Sequence, residues 1–261
     1  MNNVNKTLYI PLFGKAYVSK KRIILRDDAA EKIWKGAAFP LRGKAKSKWL
    51  AYYMGMRARV FDDWVSEAMG AFPEAVVLHI GCGLDSRALR VGCAGCSWYD
   101  VDFPEVIEER KKHYSESDNY KMIAVDARRC DWLDSIPADK CAIIVMEGIS
   151  MYLKHGELSS LLENIGKRFE KVKLLADFYT VFAAKASKYR NPINSVGVTE
   201  VYGTDDPTSV ARGTGLSFVG EREMTPDALI DSLVGMERRI FKSVYGGKLS
   251  KKLYRLCEYE K

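Results

Sequence analysis

The stretch Val76-Val77-Leu78-His79-Ile80-Gly81-Cys82-Gly83-Leu84-Asp85-Ser86-Arg87 constrains the fold more than any other part of the chain. A short apolar run that breaks into Gly-x-Gly and then a polar, helix-opening turn reads as a buried parallel strand feeding a ligand loop. Glycine is needed there because a Cβ would keep the backbone from touching a ligand. Twenty-one residues beyond Gly81, Trp98-Tyr99-Asp100-Val101-Asp102 ends a second strand in a carboxylate. An acid at that point is placed to accept hydrogen bonds from ribose hydroxyls. Position 86 is Ser86, where a dinucleotide fingerprint has its third glycine. That absence argues against NAD or FAD and favours a nucleoside without phosphates, such as S-adenosylmethionine.

Further strands follow at intervals that leave room for helices. Tyr120 to Asp126 and Cys141 to Gly148 read as the third and fourth, the one reaching Asp126 and the other Glu147. Three successive strands that finish in acids set Asp102, Asp126 and Glu147 along the edge where open α/β sheets bind ligands. Val172 to Tyr179 is a fifth strand, Ser217 to Glu223 a sixth, and Leu253 to Glu260 alternates like a final edge strand. Between them, Pro104 to about Tyr114, Glu157 to Phe169 and Pro226 to about Tyr245 have helical periodicity. The alternation predicts an α/β fold with a doubly wound, mostly parallel sheet and late antiparallel strands.

Before the first strand, Asp27 to Trp34 reads as a short capped helix and Ser47 to Phe72 as a long one, with Gly36 to Lys46 a basic loop. Lys6 to Ala16 is too irregular for a repeating sheet. On the long helix Leu50, Met54, Phe61, Trp64 and Ala68 form one apolar stripe, and Arg57 lies on it. Arg59, about 200° further round, does not. A guanidinium on a buried face needs an anionic partner. That partner is a structural carboxylate or a ligand's own, such as the amino-acid end of S-adenosylmethionine.

At 261 residues the chain suits one decorated domain. It divides into a basic N-terminal lid over 1–46, a cofactor-binding core over 47–180 and a substrate-side segment over 181–261. No apolar stretch reaches the roughly 18 residues of a membrane span, and the first residues lack the apolar core of a secretory signal. The six cysteines are scattered. Cys93 and Cys96 make a single Cys-x-x-Cys without a second pair or a nearby His, so no metal site is expected. Reduced thiols in a cytoplasm are the simpler account. Residues 1–50 hold twelve Lys/Arg against three Asp/Glu, so the net +7 of the whole chain originates there. The excess is a solvated face, or it serves an anionic small-molecule substrate, an acidic partner such as a carrier protein, or RNA.

Taken together, the chain resembles the leucine carboxyl methyltransferase family, and within it the bacterial branch that includes the tetracenomycin polyketide carboxyl O-methyltransferase. The matching stretches are Ile10 to Ala16, Arg57 to Asp62, Leu78 to Arg87, Val101 to Val106 and Glu147 to Leu153. Departures are small, with Cys82 for the commoner Ala and Ser86 for Thr, and the C-terminal third matches weakly. The resemblance implies a class I, Rossmann-like methyltransferase whose N-terminal helical lid closes over the cofactor. It implies that Arg57 and Lys15 hold the cofactor's carboxylate, and that Gly81, Cys82 and Gly83 line its methionine and ribose. Asp102 would bind the ribose, Asp126 and Ala127 would sit by the adenine, and Glu147 near the sulfonium end.

S-adenosylmethionine is thus the expected cofactor and S-adenosylhomocysteine the co-product. A carboxylate acceptor is ionised at neutral pH and needs no general base. A hydroxyl acceptor would need one, and of His79, His113 and His155 only His155 follows a strand near the ligand edge. His79 reads as a packed core residue. Methylation of a small-molecule carboxylate leads. The alternatives are a hydroxyl acceptor, an RNA or protein carboxylate, and a non-catalytic nucleoside-binding regulator. RNA is disfavoured because the basic segment has no nucleic-acid motif and no repeated stacking aromatics.

Overall fold

The computed structural model describes residues 5–37, 39–93, 95–187, 192–193, 197–198, 200–246 and 251–261. Five parallel strands form the centre of its sheet: β1 (Val76–Ile80), β2 (Ser97–Asp102), β3 (Tyr120–Ala124), β4 (Ala142–Met146) and β5 (Val172–Tyr179). With β6 (Ser217–Arg222) and β7 (Tyr254–Glu260), the order across the sheet is β3-β2-β1-β4-β5-β7-β6. β7 runs antiparallel to both β5 and β6. The expected edge strand is therefore an inner one. Its alternation is genuine, but β6 covers its far side, and Leu256, Cys257 and Tyr259 are buried.

The strands alternate between two cores. Val76, Leu78 and Ile80 of β1 face α6 (His155–Arg168), whose Leu158, Leu161, Leu162 and Ile165 form its buried stripe. Val77 faces the other way, toward Phe61, Trp64 and Val65 of α3 (Lys48–Ala71). Burying a side chain the size of Phe61 contributes about 1.5–3 kcal/mol, so this helix is anchored by its stripe. Its start is set by Ser47, whose hydroxyl accepts from the Trp49 N–H.

The N-terminal segment is helical, which its irregular pattern did not reveal. α1 (Tyr9–Lys20) carries Pro11 within its first turn, where the missing N–H leaves no helical bond unmade. It lies across α3 so closely that a Cβ on Gly14 would come within 2.7 Å of Met54, and one on Gly55 within 2.8 Å of Val18. α2 (Asp28–Gly36) is capped by Asp27, which accepts from the Ala30 N–H.

Short helices α4 (Arg87–Val91) and α5 (Pro104–Arg110) follow β1 and β2, and α7 (Val181–Ala186) and α8 (Pro207–Ala211) lie between β5 and β6. The helix expected from Pro226 to Tyr245 is two, α9 (Asp227–Ile230) and α10 (Gly235–Tyr245). The break falls where Gly235 takes φ +57 and the Ser232 hydroxyl bonds back to the Leu229 carbonyl. Of the substrate-side segment, residues 188–191, 194–196, 199 and 247–250 lie outside the described residues. Among the described residues no helix is long and apolar enough to cross a membrane.

Candidate active site

The loops after β1 to β4 open into a cavity of about 780 Å³, in the upper part of the roughly 300–1,000 Å³ typical of ligand pockets. It lies where the strand order reverses between β1 and β4, the position at which doubly wound sheets bind ligands. Lys15, Arg57, Gly81, Cys82, Gly83, Asp102, Asp126, Ala127 and Glu147 all line it. The structure thus brings every expected cofactor residue to one cavity. His155 is not among the lining residues; it is exposed in the first turn of α6. Its expected role as a base held only for a hydroxyl acceptor, and the geometry of the cavity lends that role no support.

Gly81 and Gly83 adopt φ +72 and φ +53, left-handed values that cost a residue with a Cβ about 1–2 kcal/mol. A Cβ on Gly81 would also stand 2.8 Å from Ile149. The turn exposes backbone to the cavity and aims the Gly83 N–H at Asp102 Oδ2, 2.8 Å away, while the Phe103 N–H reaches Oδ1 at 2.8 Å. Each oxygen keeps acceptor capacity for a further donor. Burial raises the Asp102 pKa to about 6 against those two N–H donors. Next to it, Asp100 is fully buried and purely structural, held to about 2 despite burial by Arg110 and His79.

Arg57 is buried and Arg59 is not, as the stripe predicted. The partners of Arg57 are protein carboxylates: Nε donates to Glu147 Oε1 at 2.9 Å and Nη1 to Asp177 Oδ2 at 2.8 Å. Lys15 is likewise matched by Asp85 at 3.1 Å. Both expected anchors are therefore neutralised by the fold itself. Asp85 also holds Arg90 at 2.7 Å, and Arg90 reaches Asp62 and Asp27 at 2.6 and 2.7 Å. Arg87 pairs with Asp62 at 2.8 Å and with Glu147. Through Asp27, which caps α2 and accepts from Ser86, the network ties the N-terminal helices to the glycine turn.

Charges buried this deeply stand only because each is matched; breaking one such pair typically costs about 3–5 kcal/mol. Burial alone would raise Glu147, yet Arg57 and Arg87 hold it at about 2. Asp85 is held well below the usual carboxylate range, against its burial, by Arg90, Lys15 and Arg87. Asp177 differs. Its Oδ1 accepts the Gly148 N–H at 2.6 Å, and burial pushes its pKa up despite Arg57.

Asp62, Asp85, Arg87, Arg90 and Asp177 were not expected in the site. Asp177 had a signal: an acid inside an otherwise apolar buried strand must have a partner. His79 is 1 % exposed and belongs to the floor of the network. The Arg87 guanidinium lies 3.2 Å from its Nε2, which therefore accepts and leaves the proton on Nδ1, 3.3 Å from Asp100. Burial lowers its pKa, so the ring is neutral.

Asp126 receives Arg128 through both side-chain and backbone N–H groups, at 2.9 and 3.1 Å, and is held below its ordinary pKa. It follows β3, which the sheet order separates from β5 by three strands. On the α7 side the cavity wall changes character. Tyr179 and Tyr254 meet edge to face with centroids 4.5 Å apart, and Tyr53 packs on Tyr254 at 6.0 Å. Burial raises the pKa of Tyr254 and of Tyr152 beside them, so these rings are neutral.

Comparison with known proteins bears on the same site. The family described as leucine carboxyl methyltransferase matches residues 12–166. The tetracenomycin polyketide synthesis O-methyltransferase TcmP of Streptomyces glaucescens is 31% identical over 224 residues, covering 84% of this chain and 82% of that protein. The S-adenosyl-L-methionine-dependent methyltransferase dpfgK of Gibberella zeae is 26% identical over 179 residues, 63% of this chain and 60% of its own length. Among solved structures, magnesium protoporphyrin IX methyltransferase of Synechocystis with bound S-adenosylhomocysteine superposes with TM-score 0.53 at 13% identity, covering 90% of this chain and 93% of that one. That likeness shows the class I methyltransferase fold.

Proposed function

The chain belongs to the leucine carboxyl methyltransferase family and is an S-adenosylmethionine-dependent O-methyltransferase; on that premise we propose that it methylates the carboxylate of a small aromatic acid of the polyketide type. The residues present fit the cofactor. A glycine turn with no room for a Cβ, a carboxylate with two backbone donors and spare acceptor capacity, and buried cations are what a nucleoside bearing an amino acid requires. In this reading Asp102 takes the ribose hydroxyls, Gly81, Cys82 and Gly83 the ribose and methionine, and Asp126 with Ala127 the adenine. Arg57 and Lys15 face the cofactor's carboxylate, and Glu147 the sulfonium end. When bound, S-adenosylmethionine supplies a methyl group activated by positive sulfur, which passes to the acceptor oxygen and leaves a neutral thioether.

The observation that carries the carboxylate assignment is the absence, among the described lining residues, of a group suited to take a proton. The one lining imidazole, His79, has Nε2 occupied by Arg87. Glu147, Asp85 and Asp126 are ion-paired, Asp102 is taken up by the ribose hydroxyls in this reading, and the tyrosines are neutral donors. An acceptor whose oxygen is already ionised needs none of them, and the protein's task is alignment and exclusion of water. The polyketide class is supported by the similarity to TcmP, a tetracenomycin polyketide synthesis O-methyltransferase, and by the aromatic wall. Incubation of the protein and tritiated-methyl S-adenosylmethionine with aromatic acids should give label that mild alkali releases as methanol. Label that survives alkali would mark an aryl ether and overturn the carboxylate reading.

A further inference from the structure

One lining cation is left over. Lys15 faces Asp85, Arg57 faces Glu147 and Asp177, and Arg128 faces Asp126. Lys44, in the 3-10 turn Gly43–Lys46, also lines the cavity. It has no ion pair among the described residues, although its neighbour Lys48 is taken by Glu237 at 2.7 Å. Lys44 is exposed, whereas Arg57 and Glu147 are 4 % and 9 % exposed. It therefore stands at the mouth, and the reacting centre at the bottom. The aromatic wall of Tyr53, Tyr254 and Tyr179 lines the same cavity, along with Leu50 and Ile193.

We propose that the outer half of the cavity is a subsite for the aromatic body of the acceptor, ended at the mouth by Lys44, which holds a second acidic group remote from the one that is methylated. The acceptor is then an aromatic with two anionic groups, or one anion plus an acidic phenol. This deepens the carboxylate reading and rests on it. The physical case is direct. Aromatic faces and edges favour a planar ring system, and an ammonium at the rim rewards an anion without the desolvation a buried cation would demand. A second anion deeper in the cavity would instead lie against Glu147, which is itself ionised.

The test uses two dyes on the protein saturated with S-adenosylhomocysteine: anilinonaphthalene sulfonate, an aromatic anion, and phenylnaphthylamine, its uncharged counterpart. Lys44→Met should weaken the anionic dye about fivefold or more, a free energy on the order of 1 kcal/mol for a rim contact. It should leave the neutral dye unchanged, and Lys44→Arg should restore anion binding. Unchanged affinity for S-adenosylhomocysteine by calorimetry shows that each variant is folded. Equal weakening of both dyes, or none of either, would overturn the proposal. Neither dye accepts a methyl group, so failure of the carboxylate reading registers in the alkali test and leaves this readout standing.

Discussion

Glu147 and Tyr254 line one cavity, yet the first sits in a lattice of buried ion pairs and the second in a wall of packed rings. The inner region is built from loops at the ends of β1 to β4, with α1 and α3 laid over them. Its charges are matched before any ligand arrives, so its geometry is fixed by the fold. The outer region draws on α7, β5 and β7 together with the turn before α3, and it offers apolar surface with one cation, Lys44, that has no ion pair among the described residues. The contrast separates two tasks. In the proposed reading, a cofactor that never changes is met by a rigid polar frame, whereas the acceptor is met by shape and by a charge at the rim. The family match over residues 12–166 covers the first region and stops before most of the second.

Breaking the inner frame should give the largest effect. Arg57→Ala leaves Asp177 without its cation and Glu147 with one fewer, and should cost about 3–5 kcal/mol of stability as well as most cofactor affinity. Arg59→Ala removes an exposed i,i+4 pair with Asp63 and a long hydrogen bond to the Ile24 carbonyl and should cost under about 1 kcal/mol. Chemical denaturation of both variants checks this, and similar losses would mean that the network is not the frame.

The next effect is on pH. If ribose hydroxyls donate to Asp102, binding favours its ionised form, and its pKa is about 6 in the free protein. Affinity for S-adenosylmethionine should then be constant above pH 7 and fall about tenfold by pH 5, as the carboxylate protonates. Asp102→Asn should bind weakly and lose that pH dependence. Calorimetry at the two pH values decides it, and a pH-independent wild type would place the ribose elsewhere.

The outer region gives smaller, selective effects. Tyr254→Ala should raise the acceptor KM several-fold while changing cofactor affinity less than about twofold, since its neutral ring packs on Tyr179 and Tyr53 and supplies no charge to the adjoining Arg57–Asp177 pair. A cofactor loss as large as the acceptor loss would erase the distinction between the regions. His155→Ala should change turnover least of all. Loss of a general base costs about 10²- to 10⁴-fold, so a drop of that size would restore the hydroxyl alternative.

What the sequence made legible follows the same division. The glycine turn, the acids at the strand ends and the stripe carrying Arg57 are local patterns, and local geometry makes them readable. That Asp102, Asp126 and Glu147 share one cavity follows from strands running parallel. The partners of Arg57 were not readable, because Asp177 is 120 residues away and the pairing depends on β5 lying beside β4. The helicity of Tyr9–Lys20 was hidden because it packs through glycine contacts with α3, without a broad apolar face. β7 read as an edge because alternation cannot say whether a later-built neighbour covers the strand. The outer wall left no motif, since Tyr53, Tyr179 and Tyr254 come from three distant elements.

In the proposed mechanism the fold supplies alignment and no proton acceptor. The most direct test is kcat against pH between 7 and 9, with cofactor and an aromatic acid acceptor saturating. A carboxylate of pKa near 4 is ionised throughout that window, and Asp102 at about 6 lies below it, so the profile should be flat. A kcat that climbs about tenfold per pH unit toward an imidazole-like or phenol-like plateau would show a proton leaving in the rate-limiting step and would contradict the claim.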